Sequence, residues 1–156
     1  MILRKLGRTG GERFFMTFRN SDTTAISAGW WMAYDLTVDR DGVGVDKASG
    51  MRLNKIAGVC MQPLAPGAYG VFQVWGICTI AKAKGSTQTT TLALTAGSPL
   101  AIATSGFYPT RFAPTTTAVK AEYSKQGAIG YAMGAATGAN YSAATSSVYT
   151  VFVTCL

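Results

Sequence analysis

Val71-Phe72-Gln73-Val74-Trp75-Gly76-Ile77-Cys78-Thr79-Ile80-Ala81 alternates with a period of two. Phe72, Val74, Cys78 and Ile80 form one apolar face, and Gln73, Trp75, Ile77 and Thr79 form the other. That period belongs to a β-strand, because successive side chains in an extended chain point to opposite sides. The same rhythm recurs on both sides of this stretch. In Arg13-Phe14-Phe15-Met16-Thr17-Phe18-Arg19 the even positions Phe14, Met16 and Phe18 share a face, and Thr91-Leu92-Ala93-Leu94-Thr95 alternates cleanly. Val148 to Cys155 places Tyr149, Val151, Val153 and Cys155 on one side, and Pro99 to Ala103 and Ala128 to Met133 are shorter candidates.

Turn residues fall between these segments, at Asp41-Gly42, Pro66-Gly67, Lys84-Gly85-Ser86 and Gly97-Ser98-Pro99, with Pro109 and Pro114 beyond. Short strands separated by such punctuation predict an all-β chain, a small β-barrel or β-sandwich. A helical turn or two around Ala118 to Lys125 is the sole departure, and the small, polar residues 133–147 read as a loop. At 156 residues the chain suits one domain. Residues 13–156 form that domain, and residues 1–12 form an extended, basic N-terminal arm that needs a partner surface to become ordered.

Composition narrows the function. Charged residues make up 13%, roughly half the usual quarter. The apolar share of 48% is ordinary, so the exterior is largely Thr, Ser, Ala, Gly and Asn. Such a surface suits a protein packed against others. The net charge is +7, and Arg4, Lys5, Arg8, Arg13 and Arg19 crowd the first stretch against Glu12 alone. Acidic residues gather instead at Asp22, Asp35, Asp39, Asp41 and Asp46.

The chain has no histidine, which removes Ser-His-Asp and Cys-His catalysis and imidazole ligation of zinc or haem. Cys60, Cys78 and Cys155 give no CxxC spacing and no even set for a disulfide framework, so they read as small buried hydrophobes. Asp39-Arg40-Asp41-Gly42 departs from a calcium loop, because its glycine comes too early and the terminal Glu is missing. Flanked by Val38 and Val43, it reads as a hairpin turn. No apolar run reaches bilayer length and no signal-peptide core follows the first basic residues, so a soluble intracellular product is expected. An enzyme, a metal site and a small-molecule substrate are therefore not expected.

Basic residues interleaved with Phe14, Phe15 and Phe18 raise a nucleic-acid reading, but Phe14 and Phe18 share the core face with Met16 and no phosphate-binding loop is present. Trp30 and Trp31 are adjacent, so in a strand they face opposite sides, and Trp75 lies opposite the Phe72/Val74/Cys78 face. Outward tryptophans on a charge-poor surface point to an interface.

Ile56-Ala57-Gly58-Val59, followed by Leu64-Ala65-Pro66-Gly67-Ala68-Tyr69-Gly70-Val71-Phe72-Gln73-Val74-Trp75-Gly76, resembles the central signature of tailed-phage capsid decoration proteins, also called head-stabilising or cement proteins. In that family a strand ending in A-G-V-A leads through a glycine turn to G-x-Y-G-W-V-Q-V-x-G. Ala28-Gly29-Trp30-Trp31-Met32-Ala33-Tyr34-Asp35 is similar to its opening A-G-D-x-V-x-x-D strand, with Trp30 where an acidic residue is commoner. Gly97-Ser98-Pro99-Leu100, Gly127-Ala128-Ile129-Gly130 and the final Val148, Val151 and Val153 follow in the family's order. The resemblance covers residues 25–156 and leaves out the arm.

The resemblance implies a non-enzymatic virion protein, assembled in the host cytoplasm, on the exterior of an icosahedral capsid. It implies homotrimers at threefold and quasi-threefold positions, the major capsid protein as partner, and no cofactor. On that reading Arg4, Lys5, Arg8, Arg13 and Arg19 face the capsid, and Trp30, Trp31, Tyr69 and Trp75 serve subunit or capsid contacts. Another virion component, such as a head-fibre base or tail-surface protein, and a basic barrel that binds single-stranded nucleic acid are the alternatives.

Overall fold

The computed structural model describes residues 11–37, 42–47, 56–84, 96–102, 109–111, 128–134 and 146–155. Among them the chain is all-β, with no helix. The strands are β1 (Phe14–Asn20), β2 (Trp31–Tyr34), β3 (Gly44–Lys47), β4 (Ile56–Cys60) and β5 (Tyr69–Lys84), then β6 (Pro99–Ile102), β7 (Pro109–Arg111), β8 (Gly130–Ala132) and β9 (Ser146–Thr154). The expected strand at Thr91–Thr95, the helical turn at Ala118–Lys125 and most of the 133–147 loop lie outside the described residues.

One sheet runs β1-β3-β2-β4-β5-β9-β8-β6-β7, and β1 also pairs with β5. The first five strands therefore close into a ring, while β9, β8, β6 and β7 continue from β5 as an open flank. The fold is part barrel and part extended sheet. Ring closure depends on the parallel contact Arg19↔Gly44 and Asn20↔Val45 between β1 and β3. On the other side β1 runs antiparallel to β5 from Phe14↔Trp75 to Arg19↔Tyr69. β4 pairs with β5 at Val59↔Gln73 and Cys60↔Phe72, and β9 takes over from Trp75↔Thr154 to Lys84↔Ser146.

Two cores result. All five ring strands contribute to the first, which contains Phe18, Met32, Val45, Ala57, Cys60, Phe72 and Val74. Phe18 sits edge-on to both Tyr34 and Phe72, each with ring centroids 5.4 Å apart. The second core joins Trp31, Ala33, Ile56 and Val59 of β2 and β4 to Cys78, Ala81, Leu100, Val151 and Val153. The flank thus folds over the outer side of β2 and β4. The even face of β1 and the Tyr149/Val151/Val153/Cys155 face of β9 point inward as the alternation predicted.

The alternation of β5 fails beyond Cys78. The register with β9 shifts between Cys78 and Ala81, so Ala81 and Ala83 become buried while Ile80 is only partly covered. Residues ahead of β2 cross here, with Lys82 N–H donating to the Gly29 carbonyl at 2.9 Å and Trp31 Nε1 donating to the Lys82 carbonyl at 3.1 Å. The longer β5 also draws Ser146 and Ser147 into β9, ahead of the expected start at Val148.

Asn20 pins the ring's lower end. It is fully buried, and its Nδ2 donates to the carbonyls of Thr24 and Leu64 at 3.0 and 3.2 Å. Its Oδ1 accepts from Asp22 N–H at 3.0 Å. One side chain so holds the turn after β1 against the 61–68 connection.

Candidate functional site

β1 and β5 build the first outward face. Register places Thr17 opposite Val71 and Arg19 opposite Tyr69. Residues directly opposite on antiparallel strands project to the same side with Cβ atoms about 5 Å apart. Phe18 and Phe72 turn into the ring, so Thr17, Arg19, Val71 and Tyr69 turn outward. Tyr69 is 62% exposed, and Arg19 makes no ion pair among the described residues. A cation beside an exposed aromatic is a pairing suited to a protein surface or an acidic partner.

The remaining expected residues fall in different places. Arg13 is half-buried just before β1, and its charge reaches the Cys78 thiol. Arg4, Lys5 and Arg8 lie outside the described residues. Trp31 is 0% exposed in the second core, which leaves no side-chain surface for a partner. Trp30 packs half-buried against the ring core. Neighbours in sequence thus serve two different cores. Trp75 stacks edge-on against Phe152, with centroids 5.3 Å apart at 79°.

Acidic residues are used locally. Asp35, buried, accepts from Ser21 Oγ at 2.8 Å and from Thr37 Oγ1 and N–H at 2.7 and 3.0 Å. Asp22 accepts from the Thr24 N–H and hydroxyl, and Lys47 lies 3.9 Å away. Partial burial pushes the Asp22 carboxyl up, but those hydrogen bonds and the Lys47 charge hold it below its ordinary value on balance. These carboxylates close turns. The expected Asp41-Gly42 hairpin falls between β2 and β3, which pair antiparallel; Asp41 lies outside the described residues, and Gly42 has φ of 71°.

Burial raises all three thiols, with Cys155 pushed up to about 12. All three are free cysteines, and Cys60 and Cys78 are buried. Among the described residues no three of His, Cys, Asp or Glu group as a metal site.

The sequence reading missed a second outward face. Pro99, Tyr131, Phe152 and Ile77 lie directly opposite one another across β6, β8, β9 and β5. In the next row Ala132 is buried, and Val151 and Cys78 point into the second core. Phe152 was legible as an outward residue of β9, since it alternates with Val151 and Val153. The neighbours that make it part of a row come from distant sequence.

No protein-family model matches the chain. No curated protein matches it in sequence. Its fold is similar to the crystal structure of the head fiber gp8.5 N base in bacteriophage phi29, with a TM-score of 0.54 and 12% sequence identity. The similarity covers 89% of this chain and 93% of that one. At this identity the likeness is one of fold.

Proposed function

We propose that this chain is a non-enzymatic structural protein of a bacteriophage head, docking on the outside of the icosahedral shell as a decoration or cement protein. The observation that carries this reading is the fold shared, over nearly the whole chain, with a phage head-fibre base. The motif resemblance around Ile56–Gly76 supports the decoration role, and the outward Arg19/Tyr69 pair supplies a shell-facing surface. Arg4, Lys5, Arg8 and Arg13 add to the positive field that meets an acidic patch on the major capsid protein. Trimers at threefold and quasi-threefold positions place three such surfaces on one site, so weak contacts sum to a firm clamp between capsomers.

Cosedimentation with purified, expanded, tail-less heads tests this. The full chain is expected to saturate the heads, and Arg19→Ala combined with Arg4→Ala, Lys5→Ala and Arg8→Ala to lose most occupancy without unfolding. Raising the salt to about 1 M, where the screening length falls to about 3 Å, should release the wild type as well. Full occupancy by the quadruple variant refutes the electrostatic role. The fold similarity also favours a second reading, a head-fibre base. The two separate by stoichiometry, since a cement protein covers the lattice and a fibre base occupies a sparse subset of positions.

A further inference from the structure

We infer that the upper edge of β1, from Arg13 to Thr17, is where an acidic, extended segment of the partner protein adds as a further strand. β5 pairs with β1 from Phe14 to Arg19, but β3 pairs with it only at Arg19 and Asn20. The Arg19 and Ser21 N–H groups donate to the Val43 and Val45 carbonyls on the β3 side, whereas the Asn20 N–H donates to the Ala68 carbonyl beside β5. Backbone groups alternate in direction along an extended strand, so those of Phe15 and Thr17 also turn to the β3 side. Among the described residues the bond from Arg19 is the uppermost rung there, and Phe15 and Thr17 have no strand partner on that side. Burial follows the same boundary. Phe18 and Asn20, facing inward beside β3, are 1% and 0% exposed, while Phe14 and Met16, facing inward above them, are only partly buried. Thr17 is exposed. The ring is therefore slit along upper β1, and an open strand edge of this kind is a template for pairing with another chain.

Charge and spacing select the occupant. Between Gly11 and Asn20 the chain carries Arg13 and Arg19 against Glu12, and the whole chain carries +7. Alternation puts Arg13, just before β1, on the outward side with Phe15, Thr17 and Arg19, so a cation stands at each end of the free edge. An added strand divides its own side chains between the same two sides. Apolar residues on its inner side cover Phe14 and Met16, and carboxylates on its outer side meet Arg13 and Arg19. Main-chain hydrogen bonds to Phe15 and Thr17 supply affinity, and the alternation supplies specificity. Five residues of such a strand span about 17 Å. A cationic segment, β1 of a second copy included, meets like charge here. The inference deepens the proposed docking, and it rests on that reading only for the source of the segment, an acidic stretch of the shell protein.

Amide hydrogen exchange and a peptide titration of the full chain test the edge without any heads. In the free chain the Phe15 and Thr17 amides should exchange fast, while those of Met16 and Phe18, turned toward β5, are protected. A capped peptide of alternating Glu and Val should bind and slow exchange at Thr17. Its Lys and Val counterpart, and the Glu and Val peptide N-methylated throughout, should not. Thr17→Pro removes an N–H outside the β5 ladder, so it should keep the wild-type circular dichroism and weaken peptide binding by about tenfold or more. The N-methylated peptide decides the question if that variant misfolds. A Thr17 amide already protected in the free chain, failure of the acidic peptide to bind, or equal binding of all three peptides overturns the inference. Thr17→Pro that saturates heads like the wild type also overturns it and leaves the virion role standing. Acidic-peptide binding by a chain that never binds heads sinks the virion role and leaves the edge standing.

Discussion

Gly76→Ala isolates a close backbone approach on which β1 depends. Gly76 lies midway along β5 with φ of 93°, and a Cβ there meets the Glu12 carbonyl oxygen at 2.1 Å. The Glu12 carbonyl carbon and Arg13 Cα follow at 3.1 and 3.2 Å. All three atoms are backbone, so no rotamer change relieves the overlap. One cost is conformational, about 1–2 kcal/mol for an L-residue forced to positive φ. The other is separation of the chain ahead of β1 from β5, which endangers the Phe14↔Trp75 pairing and loses about 1 kcal/mol per broken hydrogen bond. With about two such bonds lost, the total comes to about 3–4 kcal/mol. Gly67→Ala is the control, since Gly67 has φ of 75° but nothing within 4 Å of its Cβ position. It should lose about 1–2 kcal/mol, the conformational cost alone. At about 2–4 °C per kcal/mol, the Gly76 variant should melt about 6–16 °C below the wild type and the Gly67 variant about 2–8 °C below. Urea denaturation with matched m-values measures both. Equal losses would show that Glu12 does not run against β5, and the launching point of the basic stretch would have to be redrawn.

Asn20→Ala should cost about 2–4 kcal/mol in the same assay, because it removes three hydrogen bonds and leaves the Leu64 carbonyl without its side-chain donor. A loss below about 0.5 kcal/mol would mean that the turn and the 61–68 connection hold without it. The thiols give a pH prediction. Burial raises Cys155 from 9.0 to about 12 and moves Cys60 and Cys78 the same way, so ionisation favours the unfolded chain. The stabilisation is complete below about pH 9 and disappears as pH rises toward about 12. In native protein at pH 8, Cys60 and Cys78 should resist a thiol reagent that labels them in urea. Rapid native labelling of Cys60 or Cys78, or stability that is flat across the alkaline range, contradicts the burial.

Local alternation carried much of the fold. The even residues of β1 and the odd residues of β9 pointed inward because a single period holds along each strand. β5 broke that rule between Cys78 and Ala81, where the segment before β2 crosses it; the crossing joins residues some fifty positions apart and leaves no local mark. Ring closure was illegible for the same reason, because the β1–β3 contact is parallel and only two residues long. For Trp30 and Trp31 the sequence predicted opposite sides but implied one core. The second core draws Leu100 of β6, Ile129, and Val151 and Val153 of β9 from the distal part of the chain, and it absorbs Trp31. Arg19 and Tyr69 were legible as residue types suited to an interface. Their adjacency follows from the register alone.

The shortage of charge acquires a physical account from this arrangement. Asp22 and Asp35 accept hydrogen bonds from their own turns, so little negative charge is set against the face that carries Arg19. The apolar surplus, after two cores are filled, leaves Tyr131, Met133 and Val148 on one sheet face and Tyr69 and Val71 on another. On the proposed reading, Arg19 meets an acidic shell with little competition from the chain's own few carboxylates, so a surface poor in charge can still dock on a charged lattice.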